Sequence, residues 1–137
     1  MRVYFDSSAF AKRYVGESGS ARVLQWCDRT TALVLSVITV PELVSAFCRL
    51  RRESRLSTAQ YERLKDELLA DIADALICDT GPAVVAHAVR ALEAHRLRGM
   101  DAIHIGAALQ SGAQAFVTAD GRQAEAARGM GLQVALI

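Results

Sequence analysis

The sequence predicts an α/β fold: one domain spanning residues 1–137, with a parallel sheet covered by helices on both faces. Two observations carry this. Short runs rich in β-branched and aromatic residues alternate with longer segments of helical periodicity, and such alternation builds a parallel sheet whose crossover helices lie on its two faces. The chain is also 137 residues long, 52% hydrophobic and 23% charged, the size and make-up of one globular unit with no need of disulfide staples.

The strands come first. Val3-Tyr4-Phe5, Leu33-Val34-Leu35, Phe116-Val117-Thr118 and Val134-Ala135-Leu136 are predicted as buried strands, with Leu76-Ile77-Cys78 a weaker fifth. Between them, Val40, Leu43, Val44, Phe47 and Leu50 recur at helical spacing. Ser57 with Gln60 three residues on makes a capping box, opening a helix that carries Tyr61, Leu64, Leu68 and Ile72. Gly81-Pro82 starts another, with Val85, Val89 and Leu92 as its buried stripe and Gly99 as its stop. Residues 100–110 form a helix rich in small side chains (Ala102, Gly106, Ala107, Ala108), suited to lie close to a sheet, and residues 121–129 a short last one. No repeat, low-complexity tract or linker divides the chain.

Composition excludes some classes. A formal net charge of +1 gives no global attraction to nucleic acid, so any such binding must come from local clusters of basic residues. Those residues are almost all Arg, with Lys only at Lys12 and Lys65, and Arg suits bidentate contact with phosphate or carboxylate. Cys27, Cys48 and Cys78 are odd in number, far apart and set among apolar neighbours, so they are expected to be buried thiols in a reducing compartment. The opening Met1-Arg2-Val3-Tyr4-Phe5-Asp6 has no apolar signal region. The longest apolar stretch, 32–40, is interrupted by Ser36 and Thr39 and is too short to span a bilayer. The expectation is a cytoplasmic protein with no membrane association.

Four carboxylates stand at informative places. Asp6 follows the first strand and Asp120 the fourth, while Glu42 and Asp101 each begin a helix. Singly, each has an ordinary explanation: Asp6 as an N-cap, Thr39 with Glu42 as a capping box, Asp101 as an acid favoured by the helix dipole, Asp120-Gly121 as a turn. Together they say more. In a parallel sheet the carboxyl ends of strands and the starts of the helices that follow share one edge, which is where such sheets bind ligands. Four acids therefore converge on one rim. Close carboxylates repel unless a cation joins them, and hard oxygen ligands without His or Cys at ligand spacing select Mg²⁺ or Mn²⁺.

Other residues have weaker signals. His104 lies three residues after Asp101, on a neighbouring helical face, where a structural or surface role competes with substrate contact. His87 and His95 are expected to be solvated. Ser7 and Thr118 flank two of the acids, and their hydroxyls either orient a carboxylate or cap a backbone group. Arg49, Arg51, Arg52 and Arg55 favour a helix C-terminus, whereas Arg96 and Arg98 precede Asp101 and stand where they could hold RNA phosphates.

The opening Val3-Tyr4-Phe5-Asp6-Ser7-Ser8-Ala9, followed by Lys12-Arg13-Tyr14-Val15 and Glu17, resembles the start of PIN-domain toxins of the VapC type. The likeness continues in Ser36-Val37-Ile38-Thr39-Val40-Pro41-Glu42-Leu43 and returns at residues 97–108, from Leu97-Arg98-Gly99-Met100-Asp101 to Ala108, and at Phe116-Val117-Thr118-Ala119-Asp120. All four motifs occur in family order, and it is the ordered set that is specific. The resemblance implies a parallel five-stranded α/β sheet and a Mg²⁺ or Mn²⁺ site at its rim. It also implies endonucleolytic cleavage of RNA and a cognate antitoxin that blocks the site. Asp6, Glu42, Asp101 and Asp120 match the family's acidic quartet. One departure is Gly121, where the family commonly carries a bulkier, often basic residue.

The expected mechanism has Asp6, Asp101 and Asp120 around the metal, with Glu42 binding a second ion or positioning the attacking water. A homodimer is also expected, because symmetric association is common. The helices carrying Phe47, Cys48, Leu68 and Leu69 show apolar residues on more than one face, and so suggest a surface that a partner helix covers. Two rivals are an aspartyl-phosphate phosphatase and a non-catalytic regulatory binding module. The first usually needs a second acid two residues after the nucleophilic Asp, and here that place holds Ser8.

Overall fold

The computed structural model describes all of residues 1–137. Five parallel strands form a single sheet in the order β3-β2-β1-β4-β5: β1 (Arg2–Phe5), β2 (Ala32–Ser36), β3 (Leu76–Cys78), β4 (Ala115–Thr118) and β5 (Val134–Leu136). The chain builds outward from β1 through β2 to β3, then returns to the other side of β1 with β4. The direction of winding therefore reverses between β1 and β4, and the loops leaving those two strands diverge there.

Seven α-helices accompany the strands: α1 (Ser7–Phe10), α2 (Ser20–Arg29), α3 (Thr39–Arg52), α4 (Thr58–Asp74), α5 (Pro82–Ala94), α6 (Gly99–Ser111) and α7 (Gly121–Gly129), with a 3₁₀ turn at Ala11–Arg13. The period-2 alternation of β1 sorts the core into two layers. Val3 and Phe5 point to one face with Leu35 and Val117, against Phe10, Phe47, Tyr61 and Leu68. Tyr4 points to the other with Val34 and Phe116, against Val84, Ala88, Ala91 and Ile105. Each fully buried Phe contributes about 1.5–3 kcal/mol of transfer free energy, so the two layers hold the sheet from both sides.

The strands and the capping box at Ser57, with Gln60 reciprocating, stand where the sequence places them. Some expectations do not hold. β3 and β5 are the sheet's edges and are largely uncovered, so the strand at Val134–Leu136 is not buried. The region between β1 and β2 holds α1, the 3₁₀ turn and α2, which the periodicity does not reveal because α2 fully buries one residue, Val23.

The stripe of α5 is also reassigned. It buries Val84, Ala88 and Ala91, whereas Val85, Val89 and Leu92 are 46%, 46% and 40% exposed. Close approach decides this. A Cβ on Gly106 of α6 would stand 2.5 Å from the carbonyl oxygen of Val84, so the two helices touch backbone to backbone through small residues. Val85, Val89 and Leu92 are then left on the outside. α5 ends at Ala94 with His95 as its cap, and Gly99 opens α6 instead of stopping α5. On the opposite face, Phe47 and Leu68 are fully buried and Leu69 alone of that set is well exposed, whereas on α5 Val85, Val89 and Leu92 are exposed together. The cysteines are free and only partly buried.

Candidate functional site

Asp6 leaves the carboxyl end of β1 and is 1% exposed. Its Oδ1 accepts from the Ala9 backbone N–H at 2.9 Å, capping α1, and from the Ser8 hydroxyl at 2.7 Å; its Oδ2 accepts from the Thr118 hydroxyl at 2.5 Å. The capping role and the site role thus fall on one side chain. Burial raises the Asp6 pKa, and the three hydrogen bonds work against that rise. Thr118 ends β4, the neighbour of β1, and its hydroxyl also accepts the Asp120 N–H at 3.0 Å. One hydroxyl therefore ties Asp6 to the start of the Asp120 turn.

Asp120 caps α7, its Oδ1 accepting the backbone N–H groups of Arg122 at 2.8 Å and Gln123 at 3.3 Å. Those two bonds hold it firmly despite Gly121, where an added Cβ would meet nothing within 4 Å. Asp101 lies in the first turn of α6, and the Gln123 side-chain amide donates to its backbone carbonyl at 3.0 Å, joining α7 to α6. Its carboxyl pKa is raised, first by burial and then by the negative charge of Asp120, with Glu42 adding to it. That mutual repulsion is what a shared acidic rim produces.

Glu42 sits in the first turn of α3. The Thr39–Glu42 capping box does not form: α3 has no side-chain cap, and the Thr39 hydroxyl is buried without a partner. The Glu42 side chain turns to the rim instead, where Oε1 accepts from Ser7 Oγ at 2.8 Å and from His104 Nε2 at 2.6 Å. Burial works to raise its pKa, but the hydrogen bonds from His104 and Ser7 bring it below the ordinary value. His104 is 2% exposed, and on its far side Nδ1 faces the Tyr4 hydroxyl at 2.6 Å. Burial lifts the Tyr4 pKa well above its usual value, so the phenol keeps its proton and donates to Nδ1, while Nε2 donates to Glu42. A buried chain of hydrogen bonds thus runs from the sheet to the rim.

Asp101 and Asp120 line one cleft of about 870 Å³ with Arg96, Leu97, Arg98, Gly121 and Arg122. Asp101 and Glu42 line a second, apolar groove of about 570 Å³ with Val85, Val89, Leu92 and Met100. Asp101 stands where the two meet. The donor set is carboxylate oxygen from four elements with no free imidazole or thiolate, which suits Mg²⁺ or Mn²⁺. As the side chains stand, no three of His, Cys, Asp and Glu are close enough together to hold an ion. Asp6, Glu42 and Asp120 are each drawn aside by hydroxyl, imidazole or amide donors. The free oxygens, Oε2 of Glu42 and Oδ2 of Asp120, have no such donor to leave.

The family model for the PIN domain matches residues 3–129. The chain belongs to the PIN-domain family. No curated protein matches it. Among solved structures, this PIN domain is similar to VapC20 of Mycobacterium tuberculosis, described as a sarcin–ricin loop cleaving toxin, at 16% identity over 90% of this chain and 94% of that one, with a TM-score of 0.67. It is similar to FitAcB of Neisseria gonorrhoeae at 19% identity, covering 96% of this chain and 95% of that one, with a TM-score of 0.71. It is also similar to the DNA-bound VapBC of Salmonella typhimurium at 16% identity, covering 98% and 97%, with a TM-score of 0.70. These likenesses are of fold.

Several residues of the PIN domain's rim have no signal in the sequence. Tyr4 reads as a plain core aromatic, and only the structure shows its hydroxyl against His104. Ser8, standing where a phosphatase would place a second acid, donates to Asp6. Arg122 joins Arg96 and Arg98 in the cleft because α7 starts beside α6. His95 is half-buried, its ring against Gly129 of α7, where an added Cβ would stand 2.6 Å from Nε2. His87 is half-buried, with Arg90 donating to its Nδ1. No helix is long and apolar enough to cross a membrane.

Proposed function

We propose that this PIN domain is a Mg²⁺- or Mn²⁺-dependent endoribonuclease and serves as the toxin of a toxin–antitoxin pair. What supports the reading is that Asp101 and Asp120 line one cleft and Asp101 and Glu42 the adjoining groove, while the Thr118 hydroxyl ties Asp6 to the start of the Asp120 turn, in a chain of the PIN family. Support for the biological role comes from the relatives of the same fold, which include a toxin that cleaves the sarcin–ricin loop and VapBC complexes.

Asp6, Asp101 and Asp120 would hold the ion. When bound, it acidifies the attacking water and offsets charge developing on the phosphate. The protein's own contribution is orientation. Ser7 and His104 both engage Oε1 of Glu42, which leaves Oε2 to accept a proton from, and so aim, the attacking water. Thr118 and Ser8 hold the Asp6 carboxylate in one orientation. A small antitoxin and a second copy of the chain are the protein partners of this reading, with the exposed Val85, Val89, Leu92 and Met100 beside Asp101 as the apolar surface available to them.

The test is expression without any partner in a heterologous bacterium. Wild type is expected to arrest growth and Asp6→Asn to be harmless, since Asn caps a helix about as well as Asp but is a poor ligand for a hard cation. Equal harmlessness of the two, with soluble wild type at high level, refutes the toxin role. Separately, Mn²⁺ should raise the melting temperature of wild type and not of Asp101→Asn, a readout independent of cleavage.

A further inference from the structure

We propose that the cleft between the α5–α6 connection and the start of α7 seats the RNA backbone, with Arg96, Arg98 and Arg122 holding phosphates next to the bond to be cut. The inference deepens the ribonuclease reading and rests on it. The cleft, of about 870 Å³, has a single hydrophobic lining residue, Leu97, and carries Asp101 and Asp120 on its wall. It has no aromatic side chain on which a base could stack, so its chemistry suits a phosphodiester chain and not a nucleobase.

The three arginines of the cleft are unpaired, as are Arg22, Arg29, Arg49, Arg52, Arg63 and Arg128; what sets them apart is that they line the same cleft as Asp101 and Asp120. Elsewhere in the molecule Arg2, Arg13, Arg51, Arg55 and Arg90 are engaged by a carbonyl, a carboxylate, an aromatic ring or an imidazole. Arg96, Arg98 and Arg122 are exposed, and none forms an ion pair, not even with the two acids of their own cleft. Three guanidinium forks therefore stand apart from Asp101 and Asp120 across open space. An anion can enter between forks and rim without displacing an existing partner. They also approach from two directions, Arg96 and Arg98 from the connection before α6 and Arg122 from the first turn of α7.

The path continues. Arg96 and Arg122 also line a neighbouring pocket of about 320 Å³ with His95 and Glu125, one that neither Asp101 nor Asp120 lines. A backbone leaving the rim along that line meets two arginines in succession. The near-neutral net charge of +1 makes the local arrangement decisive, because the molecule as a whole offers RNA no attraction. Phosphate contacts position a chain without specifying bases, so the cleft sets where the RNA lies and not which sequence is chosen.

The experiment measures binding of a short single-stranded RNA by fluorescence anisotropy across a salt series. It uses the Asp6→Asn background to prevent cleavage. Three glutamines at Arg96, Arg98 and Arg122 are expected to weaken binding roughly tenfold or more and to flatten the salt dependence by about two units of log–log slope, at about 0.7 for each phosphate no longer neutralised. A control with Arg49, Arg52 and Arg63 changed to Gln removes the same charge from α3 and α4 and should change binding by less than about threefold. Melting curves confirm that both variants are folded. Equal weakening in the two variants, or none in the cleft variant, overturns the proposal. Cleavage by the unmodified protein is followed in parallel. If it cuts RNA while the cleft variant binds normally, the cleft assignment fails and the nuclease reading stands. If the unmodified protein does not cut RNA and the Asp6→Asn parent does not bind it, both fall.

Discussion

Replacing His104 by Leu tests the link between core and rim. The ring is 2% exposed and joins Tyr4 to Glu42 with hydrogen bonds of 2.6 Å on either side. Leu fills similar space and makes neither bond. The Tyr4 hydroxyl is then stranded in the core, at about 1–3 kcal/mol, and Glu42 loses one charge-assisted donor, at about 1 kcal/mol after allowing for Ser7 and for solvent at a partly exposed carboxylate. The sum is about 2–4 kcal/mol. With an unfolding entropy of roughly 2.1 cal/mol/K per residue, that lowers the melting temperature by roughly 7–14 °C. Calorimetry of four proteins measures it: wild type, His104→Leu, Tyr4→Phe and the double variant. Tyr4→Phe removes the stranded hydroxyl, so the double variant should be more stable than additivity predicts by about 1 kcal/mol. His104→Gln keeps a donor near the Nε2 position and should recover most of the kcat that His104→Leu loses, with KM little changed in either. A melting temperature within about 2 °C of wild type for His104→Leu, or strict additivity in the cycle, refutes the reasoning.

Other outcomes follow from the same geometry. Gly106→Ala should lower stability by about 1–2 kcal/mol although Ala is the better helix former, because its Cβ meets a backbone oxygen that cannot move alone; a stability gain in urea titration contradicts the packing. Asp71 accepts from Arg13 at 2.8 and 3.2 Å and from Tyr14 at 2.5 Å, so burial, which would raise its pKa, is outweighed and the carboxyl lies below its ordinary value. A depressed folded-state pKa contributes stability above the unfolded value that is lost as pH falls through the folded one. Asp71→Asn should therefore cost about 1–2 kcal/mol at pH 7, and its gap from wild type should close below about pH 4; a gap that widens in acid would falsify this account. RNA cleavage should need Mg²⁺ or Mn²⁺, stop with EDTA and be poorly supported by Ca²⁺, which prefers larger and looser oxygen cages; full activity in excess chelator ends the metal mechanism.

The sheet is legible in the sequence because its strands are short apolar runs separated by strong punctuation, and the acids are legible because they stand at strand ends and helix starts. What escapes depends on distance in space. The stripe of α5 is misjudged because size favours Val85 and Val89, while the close backbone approach at Gly106 seats the other face, Val84, Ala88 and Ala91, against α6. α2 escapes because Val23 is its only fully buried residue. His104 and Glu42 are 62 positions apart, and no local pattern joins them. Arg122 enters the cleft through the α6–α7 junction, sealed by Gln123, which joins residues far apart in the chain.

The sheet order also has a practical consequence for handling the molecule. All strands run parallel, so β1 begins at the edge remote from the acids, while β5 ends at theirs. The backbone N–H of Ile137 bonds the carbonyl of Thr118 at 2.8 Å, the residue whose hydroxyl holds Asp6. A polyhistidine tail fused after Ile137 would start beside these acids and offer imidazoles to the cation proposed there, mimicking a loss of metal affinity in the melting test. Fused before Met1, the same tail leaves from the opposite edge and keeps its nitrogens away.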